Sequence, residues 1–177
     1  MSDELVITFR PGTEADALCL SVLATQVFLD TYATDGIRDA IAREVLEQLS
    51  TPAVSAMLAT LGMRFIVAER AGHLVGFAQL TLDAAHELMP QRPAAELNRL
   101  YVQERFTGRG LGKALLARAE TLARSEGAST MWLTAWVGNA RALAFYPRCG
   151  YQDGGPTVYE FRGERHGNRL FVKALGA

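Results

Sequence analysis

The sequence predicts a mixed α/β layer fold in which helices cover a sheet. Three observations predict it. Strand-like and helix-like segments alternate along all 177 residues, and apolar residues make up 49%, enough for a sizeable core. No internal repeat, low-complexity tract or linker interrupts the pattern, so one domain over residues 1–177 is expected.

The elements follow in order. "LVITFR" (Leu5 to Arg10) reads as a strand closed by Pro11-Gly12. Thr13 can cap a helix, with Asp16 three residues on as a shorter relative of the capping-box acid. That helix runs to about Tyr32, with Ala17, Leu20, Leu23, Ala24, Val27 and Phe28 in one stripe. Asp35-Gly36 breaks it, and "IRDAIAREVLEQL" forms a second helical region. Thr51-Pro52 starts a third short helix, because proline fits the first turn. Phe65 to Glu69 and Leu74 to Leu82 form a hairpin around Ala71-Gly72. Asp83 to Ala94, with two prolines, reads as a surface loop, and its His86 as a surface histidine. "AELNRLYV" is a strand. A glycine loop and a helix to about Glu126 follow, stopped by Gly127. Leu111, Leu115, Ala119, Leu122 and Ala123 share one face of that helix. "MWLTAWV" is a strand rich in β-formers. "NARALAFYPRCG" is a short helix, and "TVYEF" and "NRLFVKAL" form a closing hairpin.

Charge and composition exclude several function classes. Lys plus Arg (18) nearly equals Asp plus Glu (19), so no basic excess is present to hold nucleic acid by phosphate neutralisation. No helix-turn-helix pattern appears. No apolar run reaches the ~18 residues of a membrane span. The N-terminus is acidic and then strand-like, unlike a secretory signal. A cytoplasmic protein is the expectation. Cys19 and Cys149 are far apart and form no CxxC, and no Cys/His set has zinc spacing, so two reduced thiols and no metal are expected.

The stretch "RFTGRGLGKALLARAE" raises the functional question. Gly108, Gly110 and Gly112 stand where a strand gives way to a helix, and glycine is unfavourable in a helix interior. Either this is a tight turn, or the backbone N–H groups converge on an anion at the helix N-terminus. Arg109 and Lys113 fall in the same turn. Cations are unfavourable at the positive end of a helix dipole unless an anion is there too. The spacing matches neither G-x-G-x-x-G nor the P-loop.

A second constellation, "NARALAFYPRCGY", bears on that choice. Together with the loop it resembles the GNAT superfamily of acetyl-CoA-dependent N-acetyltransferases. In that family the pyrophosphate loop reads Arg/Gln-x-x-Gly-x-Gly/Ala after an "LYV"-like strand, as in "LYVQERFTGRGLG". The later helix reads N-x-x-A-x-x-F-Y-x-x-x-G-F/Y. Asn139, Ala142, Phe145, Tyr146, Gly150 and Tyr151 fill those positions. The order of elements also fits. "FLDTY", "AELNRLYV", "WLTAWVGN" and "NRLFVKAL" look like the PaiA-like branch, which includes spermidine/spermine acetyltransferases.

The resemblance implies a central mixed, mostly antiparallel sheet whose splayed strands hold acetyl-CoA as cosubstrate. It implies that Gly108, Arg109, Gly110, Leu111 and Gly112 offer N–H groups to the pyrophosphate, with charge from Arg109 and Lys113. Thr107 stands where the family has Arg or Gln; its hydroxyl can donate, though more weakly. Leu100, Tyr101 and Val102 would present main-chain groups to the thioester and pantetheine arm. Phe145 belongs to the same coenzyme-binding helix, and Asn139 would cap that helix, contact the arm, or both.

Tyr146 is the expected general acid. A thiol of pKa about 8.5 and a phenol of about 10 are close enough for proton donation to the leaving sulfur. The other reading is a core tyrosine. Pro147 disfavours α geometry at the residue before it, so the helix would be kinked or the phenol displaced. Glu96 is the candidate base for the amine, directly or through water. Alternation puts it on one face with Asn98, Leu100 and Val102, and burial there would raise its pKa. The other reading is an exposed strand-end glutamate. Cys149 falls in a variable slot and receives no role.

The acceptor is expected to be a small amine contacting the first two helices and the Asp83-to-Ala94 loop. Asp30, Asp35, Asp39 and Glu44 would attract a polyamine, or they form a solvated face. Other acceptors are a small amino compound or a protein N-terminus; an acyl-CoA-binding regulator without efficient catalysis is the alternative from another class. A homodimer is compatible with the sequence.

Overall fold

The computed structural model describes residues 6–89 and 93–176. Its strands are β1 (Ile7–Pro11), β2 (Met63–Arg70), β3 (His73–Thr81), β4 (Ala94–Val102), β5 (Thr130–Trp136), β6 (Gln152–Phe161) and β7 (Glu164–Ala174). Its helices are α1 (Ala17–Tyr32), α2 (Asp39–Gln48), α3 (Thr51–Ala59), α4 (Leu111–Ser125) and α5 (Ala140–Arg148). The strands are hydrogen-bonded in the order β1-β2-β3-β4-β5-β7-β6. The pairs β1/β2, β5/β7 and β6/β7 are antiparallel and β4/β5 is parallel, which makes the sheet mixed and mostly antiparallel, as expected. Leu5 of the first predicted strand and residues 90–92 of the predicted loop lie outside the described residues. Two compact units emerge, one of Met1–Leu80 with Arg99–Ala119 and one of Thr81–Asn98 with Glu120–Ala177.

In the first unit the apolar stripe of α1 (Leu20, Leu23, Ala24) packs with Leu49, Val54, Phe65, Val67 and Phe77. Full burial of a side chain such as Phe77 stabilises by roughly 1.5–3 kcal/mol. A short 3-10 turn, Glu14–Asp16, precedes α1. There the Asp16 carboxylate accepts from the Thr13 N–H at 2.8 Å, the reciprocal half of the predicted cap. Ser50 accepts from Ala53 N–H at the start of α3, with Pro52 in the first turn. Ala71 and Gly72 both have positive φ (48° and 80°), the turn that a tight hairpin requires. Gly76 is glycine because β4 leaves no room. A Cβ there would lie 2.8 Å from the Tyr101 carbonyl oxygen and 3.2 Å from Leu115 Cδ1. Gly76→Ala is expected to destabilise by about 1–3 kcal/mol, read as a lower melting temperature.

Asp16 also receives two hydrogen bonds from Arg10, at 2.8 and 2.7 Å, and Arg10 bonds Glu69 at 2.7 Å. The guanidinium holds the Asp16 carboxyl down to about 2. Because the folded value lies below the unfolded one, the stabilisation is complete above about pH 4 and is lost as pH falls toward 2. Asp16→Asn is expected to cost about 2 kcal/mol at neutral pH and to flatten stability across that acid window, checked by denaturation at several pH values.

In the second unit β7 lies between β5 and β6. Trp132 and Leu170 pack with Ala94 in a local core. The closing hairpin extends beyond the predicted "TVYEF" and "NRLFVKAL", turning at Arg162-Gly163 (φ 49° and 83°). Its register shifts between Asp153 and Gly155, so Gly154-Gly155-Pro156 bends the strand instead of ending it. Proline is tolerated because β6 is the edge strand. His86, predicted at the surface, is half-buried and packs edge-on against Trp132 at 4.8 Å.

Candidate active site

In the first unit the glycine loop begins where β4 ends. Gln103 N–H donates to the Val75 carbonyl at 3.0 Å, and a 3-10 turn follows at Glu104–Phe106. Gly108 and Gly110 then adopt φ of 72° and 81°, and a Cβ on either would meet nothing within 4 Å. Their glycine identity therefore answers to conformation, not crowding. Gly112 has no positive φ and lies in the first turn of α4. The Gly110 carbonyl accepts the Ala114 N–H at 2.9 Å, so a residue without a side chain stands at the helix entrance and cannot cap it.

Arg109 and Lys113 are exposed, and neither makes a hydrogen bond or ion pair with a described residue. Two uncompensated cations and a set of uncapped N–H groups thus share one helix start, which electrostatics disfavours unless an anion binds. Thr107 departs from its expected role. Its hydroxyl donates to the Glu104 carbonyl at 2.8 Å and its N–H to the same carbonyl at 3.0 Å, so both donors are engaged within the turn. Beside the loop a cleft of about 280 Å³ is lined by Ile7, Phe9, Phe106, Leu111 and Ala114, with Arg109 at its polar side. Ile7, Phe9 and Phe106, with Ala114 on α4 itself, were not legible as lining residues, because only the fold brings β1 and the 3-10 turn to α4.

Leu100, Tyr101 and Val102 are half-buried at the end of β4. Tyr101 packs edge-on against Phe77 at 5.4 Å, while Val102 lies beside Gly76 with Leu115. Asn98 accepts from Thr81 Oγ1 at 2.8 Å, and the next residue, Arg99, donates to Gln79 at 2.6 Å.

In the second unit Glu96 is half-buried and pairs with Trp132 at the end of the parallel register, which runs Ala94↔Thr130, Ala95↔Met131, Glu96↔Trp132. Asn139 caps α5: its Oδ1 accepts from Ala142 N–H at 3.1 Å, leaving the amide NH2 as a donor. The end of α5 is equally defined. Tyr151 N–H donates to the Tyr146 carbonyl and Gly150 N–H to the Pro147 carbonyl, both at 3.1 Å. With Gly150 at φ 88° this is a Schellman cap, and the Tyr146 and Tyr151 rings supply its apolar contact at 5.6 Å. The spacing F-Y-x-x-x-G-Y is thus a capping device that fixes Tyr146. Pro147 sits in the last turn, where α geometry continues through Arg148, so Tyr146 remains helical. Tyr146 is 8% exposed and packs against Phe145, Tyr151 and Phe171 at 5.2, 5.6 and 5.8 Å. Among the described residues Tyr151 Oη is buried with no hydrogen-bond partner, and burial, then the Glu120 carboxylate, push its pKa far up. It is a packing residue.

The structure therefore gathers Leu100 to Lys113 in one unit and Glu96, Asn139, Phe145 and Tyr146 in the other. Residues 34–151, more than half of the chain, match the acetyltransferase (GNAT) family. The chain belongs to the GNAT family. This enzyme, an N-acetyltransferase, is 27% identical over 163 residues to the "Uncharacterized N-acetyltransferase in pepI 3'region" of Lactobacillus delbrueckii subsp. lactis, covering 92% of this chain and 94% of that one. It is 33% identical over 105 residues to the spermine/spermidine N(1)-acetyltransferase of Bacillus subtilis (strain 168), covering 59% of this chain and 65% of that one. Its fold is similar to the PaiA N-acetyltransferase of Thermoplasma acidophilum, solved in complex with coenzyme A, with a TM-score of 0.72 and 23% identity over 96% of this chain and 99% of that one. Among the described residues no helix is long and apolar enough to cross a membrane.

Proposed function

We propose that this N-acetyltransferase transfers the acetyl group of acetyl-CoA to a primary amine of a small acceptor, by direct attack in a ternary complex. The observation that carries the reading is the α4 entrance. Gly108 and Gly110 in left-handed geometry, helix-start N–H groups, and Arg109 and Lys113, which have no partner among the described residues, suit a pyrophosphate. The neighbouring apolar cleft suits the organic part of a nucleotide-bearing ligand. The main chain of Gly108 to Gly112 and the two cations would hold the phosphates, with Thr107 shaping the turn. Asn139 and Phe145 would meet the coenzyme arm.

Acetyl-CoA supplies the thioester. Main-chain groups of Leu100 to Val102 orient it and polarise its carbonyl. Glu96, directly or through water, takes the proton released by the amine as its nitrogen bonds to the carbonyl carbon. Tyr146 donates its proton to the sulfur as the C–S bond breaks. The chain acts as one acetyltransferase domain of the cytoplasm.

A polyamine is the narrower reading of the acceptor. It leans on Asp30, Asp35, Asp39 and Glu44, of which the three aspartates are exposed. Another amino compound or a protein N-terminus is the alternative. The experiment is thiol release from acetyl-CoA against a panel of amines that includes spermidine and spermine, with calorimetry of acetyl-CoA binding. Micromolar binding with turnover on a small amine is expected. Absence of binding would show that the glycines make only a turn. If neutralising the four acids leaves spermidine saturation unchanged, the polyamine reading loses its support. Light scattering on the same sample reports whether a homodimer forms.

A further inference from the structure

This inference rests on the acetyl-transfer reading and concerns which amine is taken. Arg99, on β4 immediately before Leu100, is half-buried. Its Nη1 donates to Gln79 Oε1 at 2.6 Å and lies 3.9 Å from Met57 Sδ. Gln79 is only 2% exposed, and its amide nitrogen faces the sulfurs of Met57 and Met63 at 3.7 and 3.9 Å. Thioethers are weak acceptors, so the one strong bond of this buried amide is the one that holds the guanidinium. Among the described residues no carboxylate forms an ion pair with Arg99. Arg10 is the contrast: it pairs with both Asp16 and Glu69 at 2.7 Å.

A partly desolvated cation without a counter-charge is unfavourable, and a buried glutamine that orients it adds a specific geometry. Among the described residues only Nη1 is engaged. The Nε and Nη2 N–H groups form the planar edge that matches the two oxygens of a carboxylate. Arg99 also adjoins the strand segment to which the thioester is assigned. We propose that Arg99, held by Gln79, binds the carboxylate of the acceptor, so that the preferred substrate class is a primary amine that also bears a carboxylate, an amino acid or a close relative. The same cation favours the amino-compound acceptor over the polyamine.

The test uses matched pairs that differ by one carboxylate: ornithine and putrescine, lysine and cadaverine, phenylalanine and phenethylamine, methionine and 3-methylthiopropylamine. Initial rates are measured for the wild-type chain, Arg99→Gln and Arg99→Lys, with acetyl-CoA binding by calorimetry for each. The wild type is expected to favour the acid-bearing member of at least one pair. Arg99→Gln should reduce that preference by about 10- to 100-fold, chiefly through KM, the scale of a lost charge-assisted bond. Arg99→Lys should not restore it, because an ammonium lacks the fork. Acetyl-CoA affinity should stay within about twofold, since a larger loss would assign Arg99 to a phosphate of the coenzyme and overturn the inference. If Arg99→Gln does not fold, Arg99→Met, which keeps the apolar stem, is read in its place. Preference for the plain amines, an unaltered ratio in the variant, or no turnover of any acid-bearing amine while acetyl-CoA binds would each overturn the inference. Failure to bind acetyl-CoA at all would instead overturn the acetyl-transfer reading on which it rests.

Discussion

Tyr146→Phe is expected to lower kcat by about 100- to 10,000-fold, the usual range for losing a positioned acid, while acetyl-CoA binds as before. The substitution removes one oxygen and keeps the ring. The aromatic contacts with Phe145, Tyr151 and Phe171, at 5.2, 5.6 and 5.8 Å, remain available to phenylalanine, and so does the cap closed by Gly150. A loss of folding is therefore not the expected cause of lost activity, and a thermal melt of the variant checks that directly. Calorimetry separates the coenzyme step from chemistry. If turnover survives, water protonates the leaving sulfur and Tyr146 belongs to the core alone. A large drop in kcat with an unaltered melting temperature and intact acetyl-CoA affinity supports the acid role.

Gly110→Val is expected to weaken acetyl-CoA binding by about tenfold or more while lowering the melting temperature little. Gly110 has φ of 81°, and a Cβ there meets nothing within 4 Å. The penalty is thus one of backbone conformation, about 1–2 kcal/mol for an ordinary side chain and higher for a β-branched one. An exposed loop relieves such strain by changing its path, at little expense to the core. That change would carry the N–H groups at the α4 start out of register with the phosphates they are proposed to hold. Affinity indistinguishable from wild type would mean that the loop's left-handed glycines serve the turn and not a ligand. Arg109→Gln with Lys113→Gln complements the experiment: if charge contributes as proposed, the salt dependence of binding should become shallower.

The element order, the strand-loop-helix with its glycines, and the capped helix that carries Tyr146 were legible in the chain before any coordinates. These rest on short-range chemistry. Apolar period, Thr13 with Asp16, Pro52 in a first turn, and Asn139 before Ala142 all act within a few residues and are readable locally. Even the effect of Pro147 was a local question, but its answer was not. Tyr146 stays helical because only one further helical residue follows Pro147 and a Schellman cap closes the end, so the missing N–H falls in the last turn.

Tertiary structure alone decided three further matters. It paired the hydroxyl of Thr107 with the Glu104 carbonyl, where the family resemblance had offered it to a phosphate. It brought Thr81 to Asn98 and Gln79 to Arg99, partners 17 and 20 positions away that no local period reveals. And it gave Arg99, among the described residues, no carboxylate but the amide of Gln79, a residue 20 positions away in sequence. Which charges find partners is a long-range property: it depends on which strands meet, and no motif in the chain records it.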